Sequence, residues 1–321
     1  MERIAYETEQ DYQHLIALLN EFQVQVLRPE IHPDSEFYLT SALTSTPSYQ
    51  IPPMTPRDYS IMLGNDFYFK NAPNLLDPEQ DYNPGCYSDI DQYTWLPVLN
   101  QIRQHASVFN QRAMVKNYIN SASVTRLGRD IYMGTDYYSE DISAASDNLR
   151  KLYPEYRWHR IDTGGHSDGT YCPVVPGLII SLADIPTYAD TFPDWEVVYL
   201  PGQSWAKVDK FLKLKKRNYG KWWVPGEELN HEFTEFVEDW LNHWVGYVEE
   251  TVFDVNMLVI DKHNVIVNNY NKQVFDALER HGVTPHVINF RHRYFWDGGL
   301  HCITADVHRE GTMQDFFTDR S

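Results

Sequence analysis

Four stretches of the sequence carry side chains whose types could act together on a substrate. In "WDGGLHCITADV" Cys302 follows two glycines and a histidine, so it is either a nucleophile presented by a tight turn or a buried thiol beginning a strand. In "DTGGHSDGTYCPVVPGL" His166 and Asp168 lie two apart after a Gly-Gly turn, and in an extended segment both side chains would face the same way. "PPMTPRDYSIMLGNDF" sets Asp58 at the mouth of a buried strand, and "NSASVTRLGRDIYMG" is a polar turn that feeds another. A cysteine nucleophile needs a lowered pKa or a base beside it, together with groups that hold the reacting carbon in line. A histidine beside a carboxylate can divide proton transfer from the binding of a cation. Taken one at a time these residues read as ordinary, because cysteine is among the most buried residue types and a lone histidine is more often satisfied by its neighbours. His301 points away from Cys302 if the segment is extended and is read as structural; Cys172 reads as a small core residue and Cys86 as a loop residue.

Composition narrows the classes. A chain of 321 residues with 42% hydrophobic content can bury a core, as one large domain or two ordinary ones. A net charge of −18 and a pI near 5.0 argue against a binder of nucleic-acid phosphates and mildly favour cationic ligands. Cysteines at 86, 172 and 302 are too scattered for a disulfide framework or a paired-cysteine metal site, which fits a reducing compartment; no metal and no cofactor is implied. The N-terminus lacks the basic and apolar regions of a signal peptide, and no stretch approaches the roughly 20 apolar residues of a membrane span. The expectation is a cytoplasmic protein that engages neither membrane nor nucleic acid.

The elements that must position these residues recur along the chain. "DYQHLIALLNEFQVQVLRP" spaces Tyr12, Leu15, Ile16, Leu19 and Phe22 as a helix and then alternates Val24 and Val26 as a strand. "NMLVIDKHNVIVNN" is an apolar run that turns over near Lys262 to Asn264, followed by a helix in "NKQVFDALERHG" and a strand in "VTPHVINF". The strand, helix, strand order returns in "RDIYMG", "DISAASDNLRKLY" and "YRWHRI", and again in "GLIISL", "IPTYADTF" and "WEVVYL". With "RDYSIMLG" followed by a helix at "TWLPVLNQIRQHA", about five α/β units emerge, in one closed assembly rather than two domains. Residues 203–250 do not fit this plan: a basic run precedes an acidic helix with an apolar stripe of Leu229, Phe233, Phe236, Val237, Trp240 and Trp244. They read as an inserted helical hairpin whose aromatics pack on the main body, with a lid or partner surface as the sharper reading.

The four chemistry-bearing stretches resemble ordered motifs of the amidinotransferase family, meaning glycine amidinotransferase and the inosamine-phosphate enzymes, within the guanidine-modifying pentein superfamily. "MTPRDYSIMLGNDFYFKNAP", "VTRLGRDIY", "GGHSDGTYCPVVPGLIIS" and "DGGLHCITADVHREGTMQDF" occur in family order, and the resemblance covers most of the chain. It implies a five-bladed α/β-propeller, a single catalytic domain over residues 1–321 with 203–250 as an insertion, and a mechanism. By that resemblance Cys302 attacks the central carbon of a guanidinium, His166 serves as acid and then base, and Asp58 and Asp168 grip the planar cation through charge-assisted hydrogen bonds. The partners implied are a guanidino donor and an amine acceptor. The same residues would serve a guanidine hydrolase or a binding homologue with weakened turnover.

Three departures from the family pattern bear on this. Asn120, in "NSAS", stands where the family has the aspartate that orients the catalytic histidine, and an amide can orient an imidazole but cannot stabilise its charge. The stretch after the third motif, "PGLIISLADIP", lacks the family's carboxylate-binding arginine, so arginine as donor and glycine as acceptor do not carry over. The chain also begins at the first helix, without the strand that usually opens the first blade; an open edge of that kind invites a homodimer.

Overall fold

The computed structural model describes residues 1–28, 55–58, 60–64, 66–69, 110–113, 121–134, 147, 149–200, 224, 226–227, 229–241, 254–296 and 298–320. These residues form four three-stranded sheets of one plan. The first holds β1 (Ser60–Leu63), β2 (Asp66–Phe69) and β3 (Asn110–Ala113), and the second β4 (Val124–Leu127), β5 (Asp130–Gly134) and β6 (Arg157–Ile161). The third holds β7 (Tyr171–Val175), β8 (Leu178–Ser181) and β9 (Glu196–Tyr199), and the fourth β10 (Leu258–Val259), β11 (Asn264–Val267) and β12 (Thr284–Val287). In each, the first two strands pair antiparallel and the third joins the second in parallel. The parallel step needs a crossover, and in the last three sheets helical residues stand between the second and third strands. Residues 149–152, α2 (Tyr188–Thr191) and α4 (Lys272–Arg280) serve this in the last three sheets.

The strand, helix, strand order holds in the last three sheets, with one refinement: each of the four units described opens on a hairpin, of which the turn near Lys262 was the visible case. The middle strands are wholly buried, β5 from Asp130 to Gly134 and β8 from Leu178 to Ser181, which accounts for their unbroken apolar runs. Neighbouring sheets share cores in chain order. Ile61 and Leu63 meet Ile131 and Met133; Tyr132 and Ile161 meet Tyr171, Ile179 and Phe192; Val174, Leu178 and Ile180 meet Val265, Val267 and Leu278. Beyond the fourth sheet, Leu15 and Leu19 of α1 (Glu2–Glu21) pack on Leu258 and Ile266. At about 1.5–3 kcal/mol per buried aliphatic side chain, each such seam is a substantial share of stability.

Two sequence expectations differ from what is observed. Val24 and Val26 form no strand: both lie in irregular backbone and pack, partly buried, against the seam between α1 and the fourth sheet. In the inserted region the described helix, α3 (His231–Trp240), is capped by the Asn230 side chain, which accepts from the Phe233 amide at 3.0 Å. Its Phe233, Phe236 and Val237, with Leu241, pack on Ile4, Val224 and Phe295, as expected of a helix docked on the body. Leu229 and Trp240 fall off that stripe and are exposed, because Leu229 precedes the cap and the last turn buries Leu241 in place of Trp240. Trp244, the basic run and the helix expected at "TWLPVLNQIRQHA" lie outside the described residues.

The ends of the sheets meet. Short 3-10 turns at Pro56–Asp58, Ser121–Ser123 and Ser167–Gly169 lead into β1, β4 and β7, and residues 254–257 lead into β10. Ser121 Oγ donates to the Ser60 carbonyl at 2.6 Å, Ser167 Oγ to the Ser123 carbonyl at 3.1 Å, and Asn256 Nδ2 to the Asp168 carbonyl at 3.2 Å. Asn256 bonds Cys302, and the Arg57 amide donates to the Cys302 carbonyl at 3.5 Å. A ring of hydrogen bonds thus runs through five segments of the chain and returns to the first.

Candidate active site

Cys302 lies on that ring, in a helical turn and not in a strand: the Ile303 amide donates to the Gly299 carbonyl at 3.1 Å and the Thr304 amide to the His301 carbonyl at 3.3 Å. Its side chain is buried, with 3% of the residue exposed. The two preceding glycines are needed for different reasons. Gly298 has φ +82°, and a Cβ there would stand 2.9 Å from Cys302 Cβ; a Cβ on Gly299 would stand 2.6 Å from Asn256 Oδ1.

Asn256 is fully buried, and every hydrogen-bonding position on its amide is used. Its Oδ1 accepts from the amides of His301 at 2.9 Å and Cys302 at 3.0 Å, while Nδ2 donates to Cys302 Sγ at 2.9 Å and to the Asp168 carbonyl. Asn268 holds it in turn by donating to its carbonyl at 3.1 Å.

Asp168 completes the thiol's surroundings. Its Oδ2 lies 3.4 Å from Cys302 Sγ and 2.8 Å from His301 Nδ1, and a carboxylate accepts from both. Its Oδ1 is buried with no hydrogen-bond partner among the described residues. Burial pushes the Asp168 carboxyl up, but the hydrogen bond from His301 and the charges of His301, His166 and Arg57 outweigh it and hold the group below the usual carboxylate range. Burial and the Arg57 guanidinium together push His301 down, past the upward pull of Asp168.

Arg57, 4% exposed, ties the first turn to this segment: its Nε donates to the His301 carbonyl at 2.6 Å and its guanidinium reaches Asp306 Oδ2 at 3.1 Å. Burial raises the Asp306 carboxyl, and Arg57, Arg309 and His301 reverse that, leaving it well below the ordinary range. Next to Arg57, Asp58 faces His166 across 3.7 Å, between Asp58 Oδ1 and His166 Nδ1, with side chains 26% and 38% exposed. His166 precedes the turn that carries Asp168, so the two pairs share one short segment.

The structure thus brings together Cys302, Asp168, Asp58 and His166 through three lead-in turns, while Asn120 lies outside the described residues. One sequence reading is corrected: His301 does not point away, because the segment is a turn, and its ring bonds Asp168. Asn256 was missed altogether. The available signal was its place before the fourth hairpin, the place Asp58 and Asp168 take before the first and third. Among the described residues no group of three His, Cys, Asp or Glu side chains could hold a metal, and no helix is long and apolar enough to cross a membrane. A buried thiol between an amide donor and a carboxylate sets a group able to act as a nucleophile beside a group able to hold a cation.

Comparison with known proteins bears on that chemistry. No protein-family model matches the chain. It is 24% identical over 203 residues to the mitochondrial glycine amidinotransferase of Xenopus tropicalis, a match covering 62% of this chain and 40% of the relative. It is 21% identical over 317 residues to the L-arginine:L-lysine amidinotransferase of Pseudomonas savastanoi pv. phaseolicola, covering 91% of this chain and 76% of the relative. The chain therefore spans 40% of the length of the glycine amidinotransferase it matches. In fold it is similar to an amidinotransferase of the saxitoxin biosynthetic pathway from Microseira wollei, with a TM-score of 0.66 at 20% identity, covering 99% of this chain and 87% of that one. The resemblance drawn from its motifs holds: the chain is similar in sequence to amidinotransferases and shares an α/β fold with one of them.

Proposed function

We propose that this relative of the amidinotransferases is itself an amidino-transferring enzyme, acting on an arginine-like guanidino donor through Cys302. The observation that carries the reading is the buried Asp168 Oδ1, without a hydrogen-bond partner among the described residues, on the carboxylate that also touches Cys302 Sγ. A guanidinium N–H fills that position, and Asp58 takes a second edge of the same cation. The Cys302 thiol passes its proton to His166 and the thiolate bonds the central carbon; the carbon–nitrogen bond to the first amine breaks as His166 gives that proton to the leaving nitrogen. An amidino-cysteine remains. An incoming amine then gives a proton to His166, bonds the same carbon, and displaces sulfur as thiolate.

By the match of motifs, Asn120 takes the sequence position of the family's histidine-orienting aspartate, as an amide in place of a charge. The acceptor amine is open, since the family's carboxylate-binding arginine has no counterpart in "PGLIISLADIP". The reading takes residues 1–321 as one catalytic domain with 203–250 inserted. It takes the four sheets and α1 as successive parts of a five-bladed propeller, supported by their shared cores in chain order. A cytoplasmic setting and a homodimer complete it.

Intact-protein mass spectrometry after incubation with arginine and other guanidino compounds tests the reading. An amidino adduct on Cys302, absent in Cys302→Ala and discharged by an added amine, is the expected result. Urea or a deiminated product formed without any amine would assign hydrolysis instead, and tight ligand binding with no adduct from any donor would sink both enzymatic readings.

A further inference from the structure

We propose that Asn256 is a working part of the site: the amide that holds the Cys302 sulfur when it carries negative charge. The inference deepens the reading of Cys302 as nucleophile and rests on it. The orientation of the Asn256 amide follows from chemistry. The amides of His301 and Cys302, at 2.9 and 3.0 Å, can only donate, so the group that faces them must be the oxygen, and the NH2 group must face Sγ. One of its protons goes to sulfur and the other to the Asp168 carbonyl.

The sulfur therefore sits between a group that only donates, Asn256 Nδ2 at 2.9 Å, and a group that only accepts, Asp168 Oδ2 at 3.4 Å. A neutral thiol suits both, accepting from the amide and giving its proton to the carboxylate. A cation on Asp168 removes the second interaction and leaves the first, which strengthens once the sulfur is anionic. Among the described residues, the charged or titratable groups of the segments around the thiol are His301 on its own turn, His166 beside Asp168, and Arg57 and Asp58 on the first turn. Among these groups Asn256 is the uncharged donor in direct contact with the sulfur, so its hydrogen bond persists at every pH at which the protein is folded.

The test reads alkylation by iodoacetamide, in which sulfur bonds the methylene carbon and iodide leaves, so it does not depend on amidino transfer. Asn256→Asp keeps an oxygen for the two backbone amides and loses the donor to sulfur. In it the pH midpoint of Cys302 alkylation moves upward and the rate at neutral pH falls roughly ten- to hundredfold, the size expected for a hydrogen bond to a charged group. Asn256→Ala moves the midpoint the same way by less, since it adds no charge. In the wild type with 15N-labelled asparagine, one side-chain amide proton shifts with the alkylation midpoint, and that shift is absent in Cys302→Ala; this measurement stands even where a variant fails to fold. Wild-type midpoints in both variants, or no amide resonance that follows the midpoint, overturn the proposal. A wild type that shows the alkylation behaviour but no amidino adduct with any donor refutes the proposed function and leaves the role of Asn256 intact.

Discussion

The two halves of the candidate site are held in opposite ways. Around the sulfur, Asn256, Asp168, His301 and Arg57 are joined by hydrogen bonds of 2.6–3.4 Å, in surroundings where Cys302 and Asn256 are almost without exposure. Across from it, His166 and Asp58 face each other at 3.7 Å with side chains a third and a quarter open to solvent. On the proposed function, the difference teaches which tasks need rigidity. A nucleophile must meet one carbon along one line, and a misplacement of about 1 Å costs roughly a hundredfold. A group that protonates one amine and deprotonates another has to serve two geometries, and a loosely held imidazole can do so.

The comparison breaks first at His166. His166→Ala is expected to lower amidino turnover by roughly 10²- to 10⁴-fold, the usual worth of a positioned acid–base group, while thermal unfolding stays within about 0.5 kcal/mol of wild type. A large loss of stability would mean that this half is as built-in as the other. On the sulfur side the expectation reverses. Arg57→Met strips the His301 carbonyl and Asp306 of a buried partner, and urea unfolding should show a cost of about 3 kcal/mol, the low end for a broken buried pair because Asp306 is partly exposed. The smallest effect is acid sensitivity. Asp168 and Asp306 have folded values below their ordinary 3.8, so their stabilisation is complete above that pH and drains away as pH falls through the folded values. Thermal melts through the acid range should flatten in Asp306→Asn.

Much of this was legible beforehand because it follows from local pattern. Unbroken apolar runs such as "GLIISL" mark strands buried on both faces, and β5 and β8 are such strands. Asp58, Asp168 and Cys302 stood out by type and by the turns before them. What stayed hidden depends on how segments distant in sequence approach each other. His301 was misjudged because a turn rotates consecutive side chains differently from a strand, and "GGLHCIT" alone does not say which it is. Asn256 looked like any polar residue before a strand; its importance arises from Gly299, whose missing side chain lets the Cys302 turn come down onto the amide.

The ring of hydrogen bonds through the lead-in turns also bears on how the molecule comes together in time. Arg57 and His301 are 244 positions apart, among the most distant pairings a chain of this length can make. High-separation contacts form late, after local hairpins and crossover helices have shortened the effective loops. The sulfur's environment is then the last thing assembled, and a chain interrupted at any of the five segments would carry an ordinary thiol. On the proposed function, reactivity at Cys302 would in that sense be a completion signal, acquired at the moment the circuit of hydrogen bonds closes.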